Sequence, residues 1–273
     1  QYKGKSYPPF KVPQNISLLS TSYKVEKGRA KGIHTSILYL SPAHSAGITL
    51  QSGKAFNACP FSSPFCVDGC LGTESGQMRF SSSFNSRAWK TALYLADFKL
   101  FKEILGKEIE RESRKAKKAG LVYALRLDGT SDLGISERLG DSFFSKSIKR
   151  YEYTKSIDRI RKASGKVHYT FSASEKGNSK EGARLARDKG FSTAAIVPAN
   201  TIIGNPLSTK RESDAGKISL ISQVYGEKPS GIYLEDGDTT DARFLDIPGS
   251  LVFLKVKGGK RVESLLGEMV FRV

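Results

Sequence analysis

Cysteine is scarce in these 273 residues: there are three, all between positions 59 and 70. Long apolar runs are missing altogether. No stretch approaches the roughly 20 consecutive apolar residues that a membrane-crossing helix needs, so no membrane partner is expected. The opening "QYKGKSYPPFKVPQ" holds no apolar signal core and does not begin with Met. Acids are also in deficit, with 27 Asp and Glu against 44 Lys and Arg. These shortages argue against a secreted disulfide scaffold and against a helical membrane protein. They predict a soluble, intracellular chain, long enough to bury a core as one large domain or two small ones.

The deficit of acids leaves a net charge of +17. Such an excess attracts polyanions, nucleic acid foremost. The densest basic stretch is 146–166, "KSIKRYEYTKSIDRIRKASGK", with eight cations against two acids and Tyr151 and Tyr153 between them. Cations there could meet phosphates while a ring stacks on an exposed base. A strand followed by a solvated basic helix accounts for the same residues.

Residues 1–32 read as an irregular arm, with Pro8, Pro9 and Pro13 before "KVEKGRAKG". "HTSILYLSP" reads as a strand stopped by Pro42. From Ser86, as N-cap, the period becomes helical, with Trp89, Ala92, Leu93, Ala96, Leu100, Ile104 and Ile109 near one face. Gly106 is the expected division of this stretch and Gly120 its stop. Five short β-prone runs follow: "LVYALRLDG", "RYEYTK", "VHYTFSAS", "TAAIVPAN" and "GIYLEDGD". The helix "NSKEGARLARDKG" separates the third from the fourth, and "SLVFLKVKG" comes near the end. Strand, helix, strand in succession implies parallel pairing. The expectation is an α/β fold, a parallel sheet or partial (β/α) barrel with an irregular N-terminal arm and a cysteine loop. Residues 1–58 would hold the arm and first strand, and 59–273 the cysteine loop with the α/β domain.

The cysteine loop, "CPFSSPFCVDGC", admits three readings. A disulfide leaves one of Cys59, Cys66 and Cys70 unpaired. Plain buried thiols account for free cysteines in general, but Pro60, Pro64, Gly69 and Gly72 shape a loop, and loops seldom bury several side chains without something to hold them. Metal ligation supplies that interior. Three thiolates would hold three corners of a [4Fe–4S] cluster, with water, an exogenous ligand or Asp68 on the fourth iron. Zinc wants four ligands; His34, His44 and His168 are the imidazoles present, and the usual Cys-x2-Cys pairs are missing.

Parallel α/β proteins bind ligands at the carboxyl ends of their strands. Those ends here carry Asp128, Ser131 and Asp132, then Glu152 and Lys155, then Ser172 and Glu175, and last Asp236 and Asp238. They are the candidate ligand-binding residues, although turns favour the same residue types. "EDGDTTD" has the alternating acids of a calcium loop without its terminal Glu. No G-x-S-x-G elbow is present, and "GGK" at 258–260 lacks the upstream glycine of a phosphate loop.

With "NACPFSSPFCVDGCL", "RAWKTALYLADFKLF", "RLDGTSDL", "YEYTK", "HYTFSASE", "DGDTTDARFLD" and "LVFLKVKG" in this order, the chain resembles an uncharacterised family of bacteriophage proteins named after a numbered mycobacteriophage gene product. The resemblance runs from about Cys59 to the carboxyl terminus. It implies a viral protein acting in the cytoplasm of the infected bacterial host. The layout is also similar to that of radical S-adenosylmethionine enzymes: a three-cysteine loop, a helix, then strands with polar ends. That likeness implies S-adenosylmethionine beside the cluster. The spacing here is Cys-x6-Cys-x3-Cys against their Cys-x3-Cys-x2-Cys, and no "GGE"-type stretch follows. Three functions are therefore expected in competition: an iron–sulfur protein with redox or radical chemistry on nucleic acid or a small ligand, a nucleic-acid-binding protein with a structural metal, and a phage structural or assembly protein.

Overall fold

A computed structural model describes residues 11–21, 23–201, 211–226 and 231–272. The first ten residues of the expected arm, Pro8 and Pro9 included, lie outside them. In chain order the first elements are β1 (Leu19–Ser20), α1 (Tyr23–Glu26), β2 (Ile33–Leu38), α2 (Pro64–Asp68), α3 (Leu71–Glu74), α4 (Ser81–Ala96) and α5 (Phe98–Lys118). Next come β3 (Val122–Arg126), α6 (Ile135–Leu139), β4 (Lys149–Thr154), α7 (Ile157–Lys162), β5 (Val167–Ser172), α8 (Ser179–Asp188) and β6 (Ser192–Val197). The last are α9 (Arg211–Tyr225), β7 (Leu234–Asp236), β8 (Leu251–Lys255) and α10 (Gly259–Leu266). Together they make an α/β protein with an eight-stranded, mostly parallel sheet, the class the sequence predicts. No helix among the described residues is long and apolar enough to cross a membrane.

The chain forms two compact units that alternate along the sequence: Gln1–Pro60 with Leu71–Glu152, and Phe61–Cys70 with Tyr153–Val273. In the first unit the strand order is β1-β2-β3-β4. β1 is antiparallel to β2, and β2–β3 and β3–β4 are parallel. All six residues of β2 are buried, as an internal parallel strand requires. The arm is better anchored than its prolines suggested. Leu18 is fully buried, and the Glu108 carboxylate accepts the N–H groups of Leu18 (2.9 Å) and Leu19 (2.7 Å). Lys90 Nζ donates to Leu18 O at 2.8 Å. Only long-range contacts do this, so local patterning could not reveal it.

The helical stretch begins at Ser81 rather than Ser86, and it divides at Asp97 rather than Gly106. Asp97 caps α5 by accepting the Leu100 N–H at 2.9 Å, whereas Gly106 lies inside α5. The break resets the helical phase. Phe101, Leu105, Ile109 and Ala116 form the buried face of α5, and Leu100, expected inside, is 40% exposed.

In the second unit the order is β5-β6-β8-β7, all parallel. The expected β5–α8–β6 crossover is present. Successive residues of β6 face opposite ways. Ala195 and Val197 join Phe171, Ala183, Val224 and Phe253 in one core, while Ile196 packs with Val256, Val262 and Leu266. Beyond Ser172, where β5 stops, the Phe271 N–H bonds to Ile196 O at 2.8 Å.

Candidate functional site

In the first unit the carboxyl end of β3 turns sharply against β2. A Cβ on Gly129 would lie 2.6 Å from Ile37 Cγ2 and 2.7 Å from Leu38 O, so only glycine fits. The following loop is built around two buried carboxylates. Asp128 accepts from Ser131 Oγ (2.6 Å) and from the N–H groups of Leu133 (3.1 Å), Gly134 (2.9 Å) and Ile135 (3.1 Å). Glu152 accepts from the N–H groups of Leu127 and Asp128, both at 2.9 Å, and from Ser136 Oγ at 3.0 Å. Burial first, and the Asp128 charge second, push the Glu152 carboxyl up to about 8. Asp128, Ser131 and Glu152 are thus scaffold for this loop. Asp132 is buried, with its N–H on Ala58 O at 2.8 Å.

Cys59 stands beside the same loop. Its Sγ accepts the Ala43 N–H at 3.3 Å and donates to Thr130 O at 3.6 Å. Ala43 has φ 47°, the left-handed region that a side chain disfavours. Its carbonyl takes the Ala58 N–H at 2.9 Å, which ties the segment before Cys59 to the end of β2.

In the second unit Ser63 caps α2, accepting the Cys66 N–H at 3.3 Å, and Pro64 occupies its first turn. Cys66 is half-buried in the apolar cluster of Val262, Leu266 and Ile196. At the end of α2, a Cβ on Gly69 would meet Leu266 Cγ at 2.4 Å, so α2 sits hard against α10. Cys70 follows directly and is half-buried, and none of the three thiols is in a disulfide.

The strand ends of this unit are mostly spoken for. Lys155 Nζ donates to Ser172 Oγ (2.8 Å) and Ser172 O (3.2 Å). Asp236 accepts the Asp238 N–H at 2.8 Å in a tight turn, and Asp238 pairs with Lys257 at 2.7 Å. Glu175 differs, since both its oxygens are buried without a hydrogen-bond partner. A cavity of about 980 Å³ opens after β6 and β8, lined by Asn200, Thr201, Gly259, Lys260, Ser264 and Arg272 among others. None of these residues is among the candidate ligand-binding residues above; the available signal was the glycine pair of "GGK" at 258–260, shortly after β8.

The imidazoles do not join the thiols. His34 bonds to Glu112 at 3.0 Å, His44 Nδ1 lies 3.0 Å from Phe56 O, and His168 packs edge-on against Phe191. Among the described residues no group of three or more His, Cys, Asp or Glu is placed to hold a metal ion. In the basic stretch, Tyr151 is fully buried and so cannot stack on a base, contrary to the expectation from its spacing. Arg150 is also withdrawn, buried against Asp141 at 2.7 Å. Lys146 and Lys149 in the first unit, and Arg161, Lys162 and Lys166 in the second, are exposed.

In the first unit, then, Cys59 and the Asp128 loop lie past the ends of β2 and β3, and in the second Cys66 packs with Ile196 and Val256 near the ends of β6 and β8. The chain belongs to the family described as Gene product 88, a phage gene-product family, whose match covers residues 17–265. No curated protein matches it, and neither does any solved structure. Similarity to radical S-adenosylmethionine enzymes is not shown by these comparisons.

Proposed function

We propose that this phage protein, at work in the cytoplasm of the infected host, is a metal–thiolate protein whose Cys59, Cys66 and Cys70 bind a [4Fe–4S] cluster. The supporting observation is the setting of Cys59: a left-handed Ala43 turns its N–H onto the sulfur at 3.3 Å. Backbone strain of this kind collects where a group must be held in place. Cys66 and Cys70 sit on a capped, clamped segment of their own unit. The reading rests on these separate settings and not on a preformed cage of ligands. A bound cluster supplies one-electron chemistry, and the strand ends would hold the molecule it acts on.

Anaerobic purification with iron and sulfide analysis tests the proposal. The expected result is a brown protein with about four irons and four sulfides per chain, both lost in Cys59→Ser and Cys66→Ser. A metal-free, folded protein with three ordinary thiols would overturn it, and stoichiometric zinc would replace it with a structural metal. Should the cluster form, release of 5′-deoxyadenosine from S-adenosylmethionine under reductant decides whether that cofactor is used.

A second reading, nucleic-acid binding, is favoured by the net charge of +17 and by the exposed cations of residues 146–166. With Tyr151 buried, such binding would depend on phosphates more than on stacking.

A further inference from the structure

Buried carboxylates in this protein are, as a rule, thoroughly satisfied: Asp128 accepts four hydrogen bonds and Glu108 holds two backbone N–H groups. Asp246 leaves Oδ2 without a hydrogen bond but pairs with Arg243 at 3.5 Å; Glu175 goes further. It lies three residues past the end of β5, its two carboxylate oxygens are buried, and neither has a hydrogen-bond partner. A carboxylate taken out of water without donors is among the costliest groups to bury. Native proteins nearly always give such a group a partner.

The surrounding donors are turned elsewhere. The Ser174 N–H goes to Ser179 Oγ at 2.9 Å. Lys176 Nζ reaches Phe61 O at 2.9 Å, and Lys155 Nζ reaches Ser172 Oγ at 2.8 Å and Ala173 O at 3.5 Å. Both lysines of this strand end therefore serve carbonyl and hydroxyl oxygens while the acid between them in sequence goes without.

We propose that Glu175 anchors the positively charged nitrogen of a ligand, a protonated amine or guanidinium that enters at the carboxyl end of β5. Such a group brings several N–H donors and a charge, which is what two bare carboxylate oxygens lack. A hard divalent cation fits less well. It wants six or more oxygens, and Glu175 belongs to no metal-suited group of three acids, His or Cys among the described residues. The location also fits, because parallel α/β units receive ligands at this end of their strands. The inference rests on the strand-end part of the function proposed above and is independent of the thiols. Iron-free protein carries the same carboxylate, so loss of the cluster reading leaves this one standing.

The test uses the full-length chain without metal, as wild type and as Glu175→Gln, in thermal melts at matched ionic strength. Agmatine and putrescine serve as cationic ligands and 1,4-butanediol as the uncharged control. Without ligand, Glu175→Gln is expected to melt higher than wild type by about 2–4 °C, since an unpaired charge is removed. Agmatine or putrescine should raise the wild-type Tm, butanediol should not, and the shift should vanish in Glu175→Gln. A lower Tm for the unliganded variant would mean that the carboxylate has an internal partner, which overturns the proposal. So would amines that leave wild type unchanged, or that shift both proteins equally.

Discussion

Glu152 and Asp246 both carry carboxyls held well above their ordinary range, to about 8 and about 7, burial being the largest cause in each. A carboxyl with a folded pKa above its unfolded one binds a proton on folding. Its contribution is full below the unfolded value, 4.5 for Glu152 and 3.8 for Asp246, and is lost as pH rises through the folded value. Thermal stability should therefore fall between pH 5 and 8, and Glu152→Gln should flatten that fall, as melts across the range would show. Glu112 works in the opposite sense. Burial raises it, but hydrogen bonds from Lys115, His34 and Arg111 outweigh burial and hold it down to about 2. Its stabilisation is present above pH 4.5 and is lost as pH falls towards 2. Little of this is visible in the chain as written: Lys115 and Arg111 share a helix with Glu112, but His34 and the groups that bury Glu152 come from other elements. The opposite case is Gly129, in the legible run "LDGTSD": a glycine in a turn was plain from sequence, although its close approach to Ile37 was not.

Among the elements, strands were the most readable. Every β-prone run picked out from sequence contains a strand, because short apolar runs bounded by Gly, Asp and Pro have few other uses. The long helical stretch was readable in kind but not in phase. Asp97 competes with a continuous helix by offering its side chain to the Leu100 N–H, and a break of one residue rotates everything after it. Asp97→Ala should cost about 1 kcal/mol of stability, the usual worth of an N-cap, while Asp97→Ser should retain most of it. Chemical denaturation of the two variants measures this directly. A loss no larger than that of an exposed surface substitution would show that packing of Phe101 and Leu105 alone positions α5.

At the scale of the whole molecule, charge makes a prediction that fold does not. If the surplus of cations serves nucleic acid, affinity for single-stranded DNA or RNA should fall linearly on a log–log plot against salt. The slope should be about −0.7 per phosphate contacted, and Lys162→Ala with Lys166→Ala should make it shallower. Affinity independent of salt would remove phosphate contacts from consideration. Composition, period and turn residues were enough by themselves to determine the α/β class, the parallel order around β5–α8–β6 and the surplus of positive charge, because those properties are carried by residues near one another in the chain. Which polar groups are free was decided only in three dimensions. Asp128 and Glu152 looked like ligand-binding acids and are occupied by backbone N–H groups, whereas Glu175, of the same residue type at the same kind of strand end, is left without a partner. Hydrogen-bond satisfaction depends on which donors the folded chain brings within 3 Å or so, and no local pattern encodes that.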